Sequence, residues 1–171
     1  MLFGVGEGEG AAIYRVRQDG TDLRKAISAP VHYGPYSVSP DGNHVAAWVQ
    51  GSTEATAQSV VAFPLNGGAP TTICGMCAAR DSEFPQPVGW SPDGRFVYLS
   101  FWENGAYAVP LRASQILPPL PPAGIRSVEE AAALPGAQPF PIASAFAGPN
   151  PTIYAYSKAS PQRNIYRVPV P

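Results

Sequence analysis

The tetrapeptide Ser39-Pro40-Asp41-Gly42 recurs as Ser91-Pro92-Asp93-Gly94, 52 residues further along the chain. A repeated turn at a fixed interval constrains a fold strongly, because it implies that one small unit is built more than once. Each residue has a mechanical role. Ser suits the first position of a type I turn, Pro fixes φ at the second, Asp bonds nearby backbone, and Gly accepts positive φ as the chain re-enters a strand. Each copy follows a short apolar run, Tyr36-Ser37-Val38 or Val88-Gly89-Trp90, and precedes another, Val45 to Val49 or Val97 to Trp102. Two strands joined this way form an antiparallel hairpin.

A second motif recurs as Ile13-Tyr14-Arg15-Val16, Val60-Val61-Ala62-Phe63, Ala106-Tyr107-Ala108-Val109 and Ile165-Tyr166-Arg167-Val168, at intervals of 47, 46 and 59 residues. The first copy runs into Gln18-Asp19-Gly20 and the second into Asn66-Gly67-Gly68, both hairpin signals. Strand-like residues follow at Leu23 to Ile27 and Thr71 to Cys74. The segment 31–74 is thus predicted to hold four strands, at 33–38, 44–50, 59–65 and 71–74, and about 45 residues for four strands is the period of a propeller blade. Val45 to Val49 and Val97 to Phe101 are apolar on both faces, as expected of strands covered on each side by a neighbouring sheet. A free two-layer sandwich would alternate more cleanly.

The small-apolar run, Ser-Pro-Asp-Gly, apolar strand and Ile-Tyr-x-Val with Asp-Gly or Asn-Gly-Gly together resemble the TolB-like β-propeller repeat. The resemblance covers residues 11–117 and, more weakly, 138–170. It implies an all-β fold, a partial β-propeller of about three blades of four-stranded antiparallel sheet with one short helix in an insertion. The units are a half blade at 11–27, blades at 31–74 and 86–117, a Pro-rich insertion at 118–137, and a degenerate last blade at 138–170. In that last unit Gly148-Pro149-Asn150-Pro151 stands where Ser-Pro-Asp-Gly is expected. Pro151 cannot adopt positive φ, so the turn is expected to differ. Propellers close with typically 4–8 blades. The arc therefore predicts a piece of a longer propeller, completed by missing blades in cis or by a second copy, since open blade edges are aggregation-prone.

The insertion opens with the stiff stretch Leu117-Pro118-Pro119-Leu120-Pro121-Pro122. Ser127-Val128-Glu129-Glu130 is a capping-box pattern, and Pro135-Gly136 is a stop, which predicts a helix over 128–134. Such an insertion either packs on the propeller rim or offers a docking surface.

Composition narrows the function. Charged residues are 13 %, with 11 basic against 12 acidic and a net charge of −1, which excludes a nucleic-acid binder relying on a basic field. An apolar share of 45 % excludes wholesale disorder, while 21 prolines and 17 glycines cut the chain too finely for long helices. Met1 to Glu7 has neither the basic nor the apolar region of a signal peptide. No run in this chain reaches the roughly 18–20 apolar residues of a membrane span.

Cys74-Gly75-Met76-Cys77 is the most chemically suggestive motif. It follows a strand rather than opening a helix, against a thioredoxin-type site. Zinc would need two further ligands, and only His32 and His44 are on offer. The readings are a structural pair, free or as a local disulfide, then metal, then redox catalysis; an oxidised pair would suggest an extracytoplasmic setting. No catalytic residue is expected. Asp41 and Asp93 have turn roles, Ser39 and Ser91 precede prolines, and no G-x-S-x-G elbow is present. No cofactor and no metal are expected. Trp48, Trp90 and Trp102, with the tyrosines, read as inter-blade packing, with a ligand cage as the alternative.

By the propeller resemblance, binding uses loops at one end of the blades, here 28–33, 51–58, 75–87 and 103–105. The longest carries Arg80, Asp81 and Glu83 with Gln86 at its edge, and Glu103 is expected on the same rim. These five are the candidate binding residues, for a protein, peptide or glycan. The Pro-rich insertion, Ile73-Cys74-x-x-Cys77 and Asn164-Ile165-Tyr166-Arg167-Val168-Pro169 also resemble C-terminal regions of large bacterial serine/threonine protein kinases. That implies a sensor or scaffold on the extracytoplasmic side of a membrane protein. No kinase signature appears in this chain: Gly4, Gly6, Gly8 and Gly10 do not make G-x-G-x-x-G. The alternative is the substrate-gating propeller of a prolyl-oligopeptidase-like peptidase, which predicts a hydrolase domain after the propeller, whereas this sequence stops at Pro171.

Overall fold

The computed structural model describes residues 1–7, 10–32, 36–49, 59–75, 88–101, 105–140 and 146–155. The first unit is a three-stranded meander of β1 (Leu2–Glu7), β2 (Gly10–Arg15) and β3 (Arg24–Val31). The next is a four-stranded meander of β4 (Ser37–Val38), β5 (His44–Val49), β6 (Ser59–Pro64) and β7 (Thr71–Cys74). Through β3 and β5 these first seven strands join in one sheet, and a separate four-stranded meander follows, of β8 (Val88–Trp90), β9 (Phe96–Ser100), β10 (Ala106–Pro110) and β11 (Gln138–Phe140). A hairpin of β12 (Phe146–Ala147) and β13 (Tyr154–Ala155) comes last. All pairings between these strands are antiparallel. The result is a mostly β, partial propeller-like fold with one short helix among the described residues.

The sheets are stacked, and sequence alternation along β5 shows it. Val45 and Ala47 join Ile13, Ile27, Val31 and Phe63 in a core between the first unit and the first blade. Ala46 and Trp48 point the other way, into a core shared with Val60, Ala62, Val88, Val97 and Leu99. Alternate residues of a strand face opposite sides of the sheet, so β5 is buried on both. The pattern repeats on β9, where Val97 and Leu99 face the first blade while Tyr98 packs with Ala106, Ala108 and Phe140. Phe140 in turn meets Tyr154 edge-on at 5.2 Å. Val45, Val60, Val97 and Leu99 are 0–1 % exposed. Each such side chain contributes about 1.5–3 kcal/mol by burial.

Three sequence expectations are revised. Residues 2–7, which lie outside the half blade expected at 11–27, form β1 in a six-pair ladder with β2. The segment 28–31, expected in a loop, belongs to β3, which runs on until Val31 pairs with Val49 and the His32 N–H reaches the Trp48 carbonyl at 2.9 Å. Residues 138–140, expected to open the last unit, instead pair with β10 as the fourth strand of the second blade. The insertion therefore lies inside that blade, between its third and fourth strands.

The insertion packs on the rim. The Ile125 N–H bonds the Ile73 carbonyl at 2.9 Å, and the Gly75 N–H bonds the Ile125 carbonyl at 2.8 Å, a parallel bridge along β7. This covers the edge strand of the first blade with backbone from the second, removing an open ladder. Gly124 (φ +70°) approaches so closely that a Cβ would sit 2.9 Å from the Ile73 carbonyl carbon. The helix α1 (Val128–Ala132) is shorter than the expected 128–134 and starts at Ser127, whose hydroxyl accepts from the Glu130 N–H. The Glu130 carboxylate reaches past the N-cap to the Arg126 N–H at 2.8 Å. Ile125 and Ala131 are fully buried in the core between the blades, and the Trp90 indole donates to the Ile116 carbonyl at 2.6 Å. Among the described residues no helix is long and apolar enough to cross a membrane.

Candidate functional site

The rim residues singled out from the sequence, Arg80, Asp81, Glu83, Gln86 and Glu103, lie outside the described residues, as does Cys77. Cys74 ends β7, is fully buried beside Ile125, and is disulfide-bonded. Among the described residues no group of three or more His, Cys, Asp or Glu is arranged to hold a metal ion.

At the end of the blades away from Cys74 sit the two repeated turns. In the first, the Gly42 N–H closes on the Ser39 carbonyl at 2.8 Å, and the Ser39 and His44 backbones bond at 2.9 Å. The buried Ser39 hydroxyl accepts the His44 N–H at 2.9 Å and donates to Asp41 at 2.5 Å. The second turn repeats each bond: Ser91 is fully buried, accepts the Phe96 N–H at 2.9 Å and donates to Asp93 at 2.7 Å. Ser91, the Arg95 N–H and the Arg95 side chain hold the Asp93 carboxyl down at about 2. Asp41 is lowered likewise, by Ser39 and Asn43. Each serine oxygen is engaged by its own turn, with a carboxylate as its acceptor rather than an imidazole, so the arrangement fixes backbone instead of activating a nucleophile.

Beside the first turn lies a cavity of about 600 Å³ between the first unit and the first blade. Leu2 of β1, Arg15 and Arg17 at the end of β2, Tyr36 and Val38 at β4, and Asn43, Leu65 and Asn66 line it. The Asn66 amide donates to Asn43 at 2.9 Å, tying two turns together at the edge, and the Tyr36 hydroxyl donates to the Leu2 carbonyl at 3.2 Å. Among the described residues no Asp or Glu lines this cavity. Arg15 sits directly across from Arg24 in the β2–β3 ladder. Asp22 is shared by Arg24 at 3.7 Å and Arg17 at 3.8 Å. The charged groups lining the cavity are thus the guanidinium groups of Arg15 and Arg17 and the Met1 ammonium, which donates to the Val16 carbonyl at 2.9 Å, while Asp22 pairs with Arg17 and Arg24 and not with Arg15. The sequence reading passed over this place, although Arg15 stands where the second and third repeats carry Ala62 and Ala108. A charged residue at a position that is alanine in two of the four copies, and Arg167 in the last, was the available signal.

On the outer face of the first unit, Lys25 bonds Glu7 at 2.6 Å and lies 5.7 Å from the Tyr14 ring centroid, while the Tyr14 hydroxyl donates to Glu7 at 2.5 Å. Lys25 foremost, then Tyr14, lowers the Glu7 pKa, and the same bond to Glu7 raises that of Tyr14. These are exposed groups, and such pairs contribute little stability.

No protein-family model matches the chain, and no curated protein matches it. Among solved structures, the chain is similar to TolB from Acinetobacter baumannii, with a TM-score of 0.47 and 16 % identity over 67 % of this chain. The match spans 27 % of the TolB chain, about a quarter of its length.

Proposed function

We propose that this chain is a non-catalytic binding module, a sensor or scaffold segment of a propeller within a larger bacterial protein, contacting a protein, peptide or glycan through the ends of its blades. The observation that carries this reading is the burial of both faces of the first blade's β5. Faces committed to stacking leave the blade ends for recognition, and those ends carry the turns, the cleft and the connecting loops. The turn serines and aspartates are consumed by one another, which supports a role without chemistry. The finer reading, a serine/threonine kinase-type parent, rests on the motif resemblance of Cys74-x-x-Cys77 and the Pro-rich insertion; the reading frame upstream of Met1 tests it, since a kinase domain there is required.

The module reading is tested by probing peptide and glycan arrays with the purified chain and with a variant carrying alanine at Arg80, Asp81, Glu83 and Glu103. Saturable binding by the parent, reduced at least tenfold in the variant, is the expected result. Turnover of model peptide or ester substrates, or array binding indifferent to the loop residues, contradicts it.

A further inference from the structure

We propose that the cleft at the turn end binds an aliphatic carboxylate, with the carboxylate on Arg15 and the aliphatic body against Leu2, Val38 and Leu65. This deepens the binding-module reading and rests on it, but places recognition at the end of the blades that carries the repeated turns. Like charges directly across a ladder repel, and Arg15 faces Arg24 in that way. Arg24 and Arg17 divide the single carboxylate of Asp22, and Arg15 forms no ion pair with any described residue. Two further carboxylates, Asp19 and Asp41, occupy neighbouring turns, where local donors hold them and neither pairs with Arg15. Asp19 accepts from the Thr21 N–H at 2.9 Å and hydroxyl at 2.7 Å, and Asp41 accepts from Ser39 and Asn43. An incoming anion would therefore meet a guanidinium fork, which matches a carboxylate in two parallel hydrogen bonds.

Shape and polarity then select among anions. A volume of about 600 Å³ falls within the range of small-ligand pockets, about 300–1,000 Å³. Leu2 and Leu65 give the wall an aliphatic surface, and Val38 is 41 % exposed beside them, apolar area that a bound chain would cover. A bare, strongly hydrated phosphate would leave that wall wet. The same chemistry arises from a free branched-chain acid or from the C-terminal residue of a peptide.

The test is titration of the full chain, by calorimetry or NMR, with N-acetyl-leucine and its C-terminal amide, and with acetyl-Ala-Ala-Leu in acid and amide forms. The acids are expected to saturate and the amides to bind at least tenfold more weakly. Tighter binding of the tripeptide acid identifies a peptide terminus, and equal or weaker binding identifies a free acid. Arg15→Gln should weaken the acids at least tenfold without lowering the melting temperature, because it also removes the repulsion with Arg24. Val38→Glu, at a half-open position, keeps the fold and should abolish acid binding by placing a carboxylate in the cleft. Equal affinity for acid and amide, undiminished binding by Arg15→Gln, saturation by inorganic phosphate as tight as by the acids, or no saturation by any probe overturns the proposal. If these titrations fail while the rim-loop variant still loses array binding, only the carboxylate site falls; if both fail, the module reading falls with it.

Discussion

The turn at Ser91–Gly94 and the turn at Gly148–Pro151 occupy matching places in consecutive units but are held differently. Both keep the outer bond between the first residue's N–H and the carbonyl five residues on, Ser91 to Phe96 at 2.9 Å and Gly148 to Ile153 at 3.0 Å. Both keep the side-chain acceptor at the third position, Asp93 for the Arg95 N–H at 3.1 Å and Asn150 for the Thr152 N–H at 3.0 Å. The inner bond is lost with Pro151, which has no N–H, and is replaced by Ile153 N–H to the Asn150 carbonyl at 3.1 Å. The serine hydroxyl has no counterpart. The sequence expectation of a different turn is met at the inner bond, while the outer frame survives. An Asx-type acceptor and a five-residue span therefore suffice for a turn, and the buried serine is what locks one into a core.

That contrast can be broken at the serine. Ser91→Ala removes the acceptor of the part-buried Phe96 N–H, and an orphaned donor costs about 1–3 kcal/mol when buried. Denaturant unfolding should show a loss in that range, and no measurable loss would mean the hydroxyl is dispensable. The converse substitution, Gly148→Ser, makes the third turn more like the motif yet is expected to destabilise it. A Cβ there would collide with the Ile153 carbonyl, its carbon 2.8 Å away. Overpacking of this kind costs about 1–3 kcal/mol, felt locally as faster hydrogen exchange at Ile153, whereas slower exchange would show that the glycine is mere decay. Acid separates the turns by a smaller effect. The folded Asp93 carboxyl titrates at about 2, below its ordinary value of 3.8. Its contribution is therefore present above pH 4 and lost as pH falls through about 2. Asn150 has no such dependence. Asp93→Asn should flatten the acid decline of the melting temperature between pH 4 and 2, and an unchanged slope would assign that decline to other carboxylates.

Much of this architecture was legible because its signals are local. Turn residues at a blade-like interval located β4 to β10, and two-faced apolar runs at Val45 to Val49 and Val97 to Phe101 announced burial on both sides. What escaped depended on distant partners. β1 is glycine-diluted and gains its strand character from pairing with β2. Gln138–Phe140 looked like the start of a unit because nothing in its three residues reports that Ala106–Ala108 is its partner. The cleft escaped for the same reason, since Arg15, Asp22 and Arg24 become a charge imbalance only when a ladder sets two arginines opposite each other. The rim residues Arg80, Asp81, Glu83, Gln86 and Glu103 remain a proposal resting on sequence.

Methyl NOEs around the first blade test the stacked-sheet account most directly. It predicts two separate sets from adjacent residues of one strand: Val45 and Ala47 to Ile13 and Ile27, and Ala46 with Val60 and Ala62 to Val97 and Leu99. Observing only one set, with the other face of β5 open to solvent, would make the protein a two-layer sandwich and contradict the account.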